Sequence, residues 1–301
     1  MCKAFAVAFV IAATLAVTSA QQPIAIGIVR VDGHLMPIAR ITPKGFEAPH
    51  GKPEQTHVNG VAIGPAPFGP PDWPLKGLAW TLANGSQPPV EITTLEKTLV
   101  RMPYCDDRYL WRTTLKQPAA PEGIAPIPKI GAAVSGARLE FPDNVISLPD
   151  AGSRRVADRI VELFLAREKA RLAVDKGVAA SGSAATVRIT QLVRHVVGGT
   201  STYYFEASKP LKLSDGSVGS DAGVVSGWVV DSAAGLRDYE VAYRVNDDTY
   251  KEYDNAVVRG IVPYQGRALW LLERHGWETE YYTLHDWPSG IQRLIVDAYE
   301  C

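Results

Sequence analysis

The acidic and histidine residues near the end of the chain have the side-chain types most suited to chemistry. They are concentrated in residues 273–286, which contain Glu273, His275, Glu278, Glu280, His285 and Asp286. A glycine between two apolar runs, Gly276, predicts that this segment is a β-hairpin. Alternation along its second strand puts Glu278 and Glu280 on the same face, about 7 Å apart. Two carboxylates at that spacing suit water activation between two acids, or the binding of a hard cation.

The same pattern also fits a solvated strand face whose charges oppose edge-to-edge pairing of sheets. The two histidines offer no further chemistry together, because His275 lies in the predicted turn and His285 lies near the far end of the strand. At ~3.3 Å per residue they are separated by roughly 30 Å, so they cannot share a metal ion within one hairpin. Glu278 and Glu280 are therefore the candidate catalytic pair if the protein is an enzyme.

A second acidic segment offers possible metal ligands. It contains Asp247, Asp248, Glu252 and Asp254. Their spacing does not match the EF-hand loop, in which alternating acids precede a glycine and a distant glutamate. Turn formation explains such Asp-rich segments without any ion. We therefore expect neither a bound metal nor another cofactor, and keep these four residues as calcium candidates.

The chain lacks the motifs of several common enzyme classes. It contains no Gly-x-Ser-x-Gly, no Ser-x-x-Lys, no His-Glu-x-x-His and no phosphate-binding glycine loop. These absences argue against the common serine hydrolases, penicillin-binding proteins, zinc proteases and nucleotide-dependent enzymes.

The composition limits the range of partners. The 301 residues carry a net charge of −1, and 46% of them are hydrophobic. A nearly neutral chain with this apolar content predicts a globular protein that binds neither nucleic acid nor an anionic membrane surface. A protein or a glycan is the expected partner.

The first twenty residues resemble a cleaved secretory signal. Lys3 precedes an apolar run from Ala4 to Val17, and small residues follow at Thr18-Ser19-Ala20. This run of about 14 residues is shorter than the roughly 20 needed to cross a bilayer. We expect residues 1–20 to be removed, leaving a soluble secreted or periplasmic protein without a membrane segment; an uncleaved anchor is the alternative.

Two cysteines, Cys105 and Cys301, remain after that cleavage. In an oxidising compartment a pair of cysteines is most simply one disulfide, which would tie the end of the chain to its first half. Two free thiols are the alternative.

The residues up to about 150 carry the patterns of short strands. Runs 24–31 and 35–41 flank Asp32-Gly33, a typical hairpin turn, and should pair with each other. Further strand candidates are 77–82, 90–101, 108–115 and 132–141. The proline-rich residues 61–76 indicate an irregular loop, and 118–129 a stiff connector.

One helix is predicted near the middle of the chain. Ser153 is a possible N-cap, Gly177 a possible end, and one face carries apolar residues at helical spacing, namely Val156, Ile160, Leu163, Phe164 and Ala170. Strand-like runs follow at 186–197, 202–208, 223–231, 236–246, 256–263, 267–274, 277–285 and 291–299. The expected fold class is α+β, predominantly antiparallel β with one long helix, divided into a β-rich domain (21–150) and a helix-plus-sheet domain (151–301).

The second half is rich in tryptophan and tyrosine. An exposed row of these rings would suit stacking on sugars or peptides, but antiparallel sheets normally use them in the core, which we favour. Together these features predict a non-catalytic binding or structural module of a secreted or periplasmic protein. The alternative is a secreted hydrolase that uses paired carboxylates.

Overall fold

The computed structural model describes residues 23–48, 55–57, 61–64, 73–85, 87–100, 108–116, 129–146, 150–172, 178–179, 186–213, 218–246, 255–275, 279–287 and 289–300. These residues form one α-helix and nineteen strands. In chain order the elements are β1 (Ile24–Arg30), β2 (His34–Thr42), β3 (Gly45–Glu47), β4 (Gln55–His57), β5 (Val61–Gly64), β6 (Ala79–Ala83), β7 (Val90–Val100), β8 (Arg108–Thr113), β9 (Lys129–Ser135), β10 (Asp143–Asn144), α1 (Ala151–Leu172), β11 (Val178–Ala179), β12 (Arg188–Val197), β13 (Thr200–Leu213), β14 (Val218–Ser232), β15 (Gly235–Asn246), β16 (Asn255–Tyr264), β17 (Arg267–His275), β18 (Thr279–Trp287) and β19 (Ile291–Glu300). The predicted fold class, mostly antiparallel β with one helix near the middle, is confirmed.

The N-terminal sheet closes on itself. Strand β1 pairs with both β9 and β2, so the order β1-β9-β6-β7-β8-β2 returns to its start, with β3 added at the edge of β2. All six strands of this closed sheet contribute to one interior cluster, which includes Trp80 and Trp111. The predicted hairpin of β1 and β2 is confirmed, and Gly33 takes a left-handed φ of 78° in its turn.

The outer side of the closed sheet packs on the C-terminal sheet. Isoleucines of β1 and β2, such as Ile26 and Ile38, share a hydrophobic cluster with Leu269, Leu271 and Leu284. Strand β1 is therefore buried along its whole length, with one face in each cluster. The cluster joins residues from both predicted domains, and the division at residue 150 stays a prediction.

The C-terminal sheet has the order β16-β17-β18-β19-β5-β4. Its pairings are antiparallel except that between β19 and β5, which is parallel. The face turned away from the closed sheet packs on a central sheet of order β10-β12-β13-β14-β15. Trp228 of the central sheet and Trp270 and Trp287 of the C-terminal sheet lie in this second interface.

Helix α1 covers the remaining face of the central sheet. Val156, Ile160 and Phe164 are fully buried against residues such as Phe205 and Val229. The layers therefore run closed sheet, C-terminal sheet, central sheet, helix, so that the last sheet in the sequence lies second in the stack. The described part of the chain contains no helix long and apolar enough to cross a membrane.

The predicted ends of the helix need correction. The helix begins at Ala151, and Asp150 is its cap, because the Asp150 carboxylate accepts the backbone N–H of Ser153 at 2.7 Å. Ser153 is therefore not the N-cap. Ala170 is exposed, and Glu168 is the buried residue of the last turns, where it binds the Lys209 ammonium at 2.8 Å. Gly177 lies outside the described residues.

Two predictions for the first half, one strand and one loop, were also wrong in part. The run 132–141 is a strand only to Ser135, because Gly136 takes a left-handed φ of 77° and ends it. The proline-rich segment 61–76 is not wholly irregular, since its first residues form β5. The predicted signal (1–20), Cys105, Cys301 and all of the predicted connector except Lys129 lie outside the described residues, so the signal and the disulfide stay predictions.

Candidate functional site

The hairpin of β17 and β18 brings the candidate acids together on one face. Its register pairs His275 with Glu280 and Glu273 with Tyr282. Cross-strand partners share a face of the sheet, and so do residues two apart along a strand. All four side chains therefore point toward the closed sheet, where Tyr282 joins the shared apolar cluster.

The carboxylate beside Glu280 is that of Glu273. Glu280 is 1% exposed and Glu273 is 0% exposed, so neither carboxylate belongs to a solvated strand face. The predicted partner of Glu280, Glu278, lies outside the described residues. The sequence reasoning included Glu273 in the cluster but missed the pairing, because it depends on the register across the turn.

Two cations from other strands neutralise this pair. The ammonium of Lys129, at the start of β9 in the closed sheet, contacts Oε2 of Glu280 and lies 3.6 Å from Oε1 of Glu273. Arg259 of β16 donates its Nε–H to Oε2 of Glu273 at 2.7 Å. The Lys129 contact crosses between two layers, so it joins the closed sheet to the C-terminal sheet by charge as well as by apolar packing.

Tyr282 connects the two carboxylates. Its hydroxyl lies 2.7 Å from Oε1 of Glu280 and 3.2 Å from Oε2 of Glu273. A hydroxyl has one proton, and the shorter distance indicates that Glu280 accepts it. Burial, together with the charges of Glu280 and Glu273, raises the pKa of Tyr282 well above its usual value, so the phenol stays protonated as a donor.

The surroundings keep Glu273 ionised. Burial alone would raise the pKa of this carboxyl, but His275, Arg259 and Lys129 outweigh burial and hold the pKa well below its usual range. A general acid needs a raised pKa in order to carry a proton near neutral pH. Glu273 is therefore suited to hold cations and not to deliver protons.

His275 completes the cluster at its solvent side. Its Nε2 atom lies 2.5 Å from Oε1 of Glu273, and its Nδ1 atom lies 4.0 Å from Oε2 of Glu280. The Nε2 contact is an ion pair that falls outside hydrogen-bond geometry, so Oε1 of Glu273 is buried against the imidazole without a well-aligned donor. The side chains of His275 and Arg259 are 24% and 23% exposed, so solvent reaches the cluster at these two residues.

The other histidine of the hairpin lies in a different interface. His285 pairs with Trp270 across the strands and faces the central sheet, where its ring lies 5.1 Å from that of Trp228. Its Nδ1 atom lies 3.4 Å from a carboxylate oxygen of Glu240, which has a left-handed φ of 48° in β15. Burial lowers the pKa of His285, although Glu240 acts in the opposite direction. His275 and His285 are thus separate because they lie on opposite faces of the hairpin; the register puts His275 opposite Glu280, so the separation of roughly 30 Å expected from spacing along the strand is not the reason.

The aromatic side chains serve the core among the residues described. Trp228 packs against Tyr204, Trp270 and Trp287 with ring centroids 5.0, 5.1 and 4.9 Å away. These four rings are at most 1% exposed, so they form no sugar-binding row. The acidic segment with Asp247, Asp248, Glu252 and Asp254 lies outside the described residues, and its calcium binding stays a prediction.

Comparisons with known proteins add no family. No protein-family model matches the chain, and neither the curated proteins nor the solved structures include a match.

Proposed function

We propose that this chain is an exported, non-catalytic module that binds a protein or a glycan or supports a larger assembly. The observation that carries the proposal is the state of the paired carboxylates. Glu273 and Glu280 are buried, and Lys129 and Arg259 compensate their charge. Carboxylates in this setting hold two sheets together, which is a structural task.

A hydrolase with paired carboxylates has other requirements. Such an enzyme needs one carboxyl with a raised pKa to protonate the leaving group, and a second carboxylate that reaches the substrate or a water. The pKa of Glu273 is lowered, and both acids are buried in contact with Tyr282 and Lys129. The motifs absent from the sequence support the same conclusion.

The export half of the proposal is tested by expressing the full-length chain in a bacterial host and fractionating the cells. We expect the protein outside the cytoplasm, with Gln21 as its first residue, because the small residues before it suit a signal peptidase. A full-length protein that keeps Met1 and stays in the cytoplasm would contradict it.

The non-catalytic half is tested by assaying the purified protein on polysaccharide and peptide substrates beside a Glu280→Gln variant. We expect no turnover that depends on Glu280. Turnover that Glu280→Gln abolishes, while circular dichroism shows the variant folded, would establish the hydrolase instead. Glu280→Gln should leave binding to an exported partner or to a glycan column unchanged, because the residue is buried.

A further inference from the structure

Glu273, His275 and Glu280, which we call the hairpin triad, bring one imidazole and two carboxylates together. One ligand atom from each of them lies within 4.8 Å of the others. The register of β17 and β18 fixes their backbone positions, and neighbouring strands β16 and β19 hold the hairpin on both sides. The backbone of a site built on paired strands need not move when an ion enters.

A second observation points to a ligand at this place. Oε1 of Glu273 is buried without a well-aligned donor, and it points toward the imidazole of His275. Lys129, at 3.6 Å, is beyond hydrogen-bond distance from this oxygen. A buried acceptor without a donor is rare in proteins and calls for a physical explanation. A cation that both groups bind would supply one; the imidazole must then move back, because two ligand atoms of one such ion lie about 3 Å apart or more.

Arg259 and Tyr282 each donate to one oxygen of a triad carboxylate and leave the other oxygen of that carboxylate for another partner. Arg259 occupies Oε2 of Glu273, which leaves Oε1 for an ion. Tyr282 occupies Oε1 of Glu280, which leaves Oε2, now in contact with Lys129. In known metal sites, a carboxylate that binds the metal is likewise oriented by hydrogen bonds from neighbouring groups.

We infer that the hairpin triad is a site for a divalent first-row transition metal such as Zn²⁺, which exchanges with the ammonium of Lys129. One imidazole and two carboxylates suit this class of ion, whereas Ca²⁺ and Mg²⁺ prefer oxygen ligands alone. Three protein ligands leave a further position for water or for a group on a partner. The inference goes beyond the proposed function, and it holds whether or not the module is catalytic.

The ammonium of Lys129 competes with a metal ion for the site. Its positive charge occupies the place next to Oε2 of Glu280, so a metal ion must displace it. Removal of this charge leaves two buried carboxylates with less compensation and a stronger attraction for a cation. The side chain of His275 is partly exposed to solvent, so an ion can first bind this imidazole and then reach Oε1 of Glu273 and Oε2 of Glu280.

Calorimetric titration of the chelator-treated, tag-free protein with ZnCl₂ tests the inference. We expect one Zn²⁺ per chain in the wild type, at least 10-fold weaker binding in His275→Gln, and at least 10-fold tighter binding in Lys129→Met. His195→Gln is the matched control, because His195 contacts the Glu140 carboxylate at 2.9 Å outside the triad. This control should bind Zn²⁺ as the wild type does.

Three results would overturn the inference. They are no binding in both the wild type and Lys129→Met, equal binding in His275→Gln and the wild type, and equal losses in His275→Gln and His195→Gln. Circular dichroism establishes that each variant is folded, and Lys129→Gln replaces Lys129→Met if the latter does not fold. Co²⁺ gives an independent readout, since its visible spectrum should change in the wild type and not in His275→Gln.

Discussion

The two faces of the C-terminal sheet solve the same burial problem in different ways. The face toward the closed sheet buries a network of charges, in which Glu273 and Glu280 meet Lys129. The face toward the central sheet buries aromatic rings around Trp228, together with the histidines His285 and His195. Both faces include the same hairpin of β17 and β18, so the contrast lies in the partners and not in the backbone.

The two faces contribute differently to the relative position of the layers and to the adhesion between them. Aromatic rings gain from area and from edge contacts, which tolerate small shifts of one layer on the other. A buried ion network is favourable only when every partner is in place, because a carboxylate without its cation is strongly penalised. The charged face therefore fixes the position of the closed sheet, whereas the aromatic face supplies most of the adhesion to the central sheet.

The largest effect is expected from truncating Trp228, the ring of the central sheet around which the aromatic face packs. Trp228→Ala should lower the free energy of unfolding by about 3–5 kcal/mol, because it removes a buried ring and its contacts with its aromatic neighbours. Urea denaturation measures the change. Because no charge is lost, the change should be the same at low and at high salt. If Trp228→Ala lowers the free energy of unfolding by less than about 1 kcal/mol, the aromatic rings do not supply most of the adhesion between the central sheet and the C-terminal sheet.

On the charged face, Lys129→Met should cost about 3 kcal/mol, since two buried carboxylates lose a cation. Lys44→Met, at an exposed lysine, is the matched control and should stay within about 0.5 kcal/mol of the wild type. If the two variants unfold at the same urea concentration, the charged face contributes no more than an ordinary surface.

A smaller effect should follow from the loss of one hydroxyl. Tyr282→Phe removes the donor to Oε1 of Glu280 and keeps the ring in the apolar cluster, so we expect a loss of about 1–2 kcal/mol. Thermal unfolding of the variant beside the wild type measures it. A variant as stable as the wild type would mean that water replaces the hydroxyl.

The aromatic face should show a pH dependence through His285. Burial lowers the pKa of this histidine below its ordinary value of 6.5, so the unfolded chain binds its proton more readily than the folded chain does. His285 therefore takes away stability as the pH falls from about 6.5 toward the folded pKa, by at most about 1.4 kcal/mol per pH unit.

Stability curves of the wild type and His285→Phe between pH 7.5 and pH 5 isolate this effect. The other groups titrate in both proteins, so the difference between the curves reports His285 alone. Parallel curves over this range would show that His285 has the same pKa in the folded and the unfolded chain, which would contradict the effect of burial.

The sequence predicted well what depends on local patterns. Alternation located most strands of the sheets, and helical spacing identified the buried face at Val156, Ile160 and Phe164. Asp150 and Ser153 are both good capping residues, and only the position of the first helical residue decides between them.

The candidate site was harder to predict because its partners are distant in sequence. Its acids lie on one hairpin, but Lys129 comes from the closed sheet and Arg259 from β16. No periodicity relates these positions to Glu280. The pairing of His275 with Glu280 likewise depends on the length of the turn, which composition does not set.

The most direct test of the charged face is a double-mutant cycle on Lys129 and Glu280, with Lys129→Met, Glu280→Gln and the double variant unfolded in urea. If Lys129 and Glu280 form one buried ion pair between the sheets, the destabilisation of the double variant should be smaller than the sum of the two single destabilisations, by about 2 kcal/mol. Additive losses, within about 0.5 kcal/mol, would contradict the ionic contact and would mean that this charge pair adds nothing to the other contacts between the closed sheet and the C-terminal sheet.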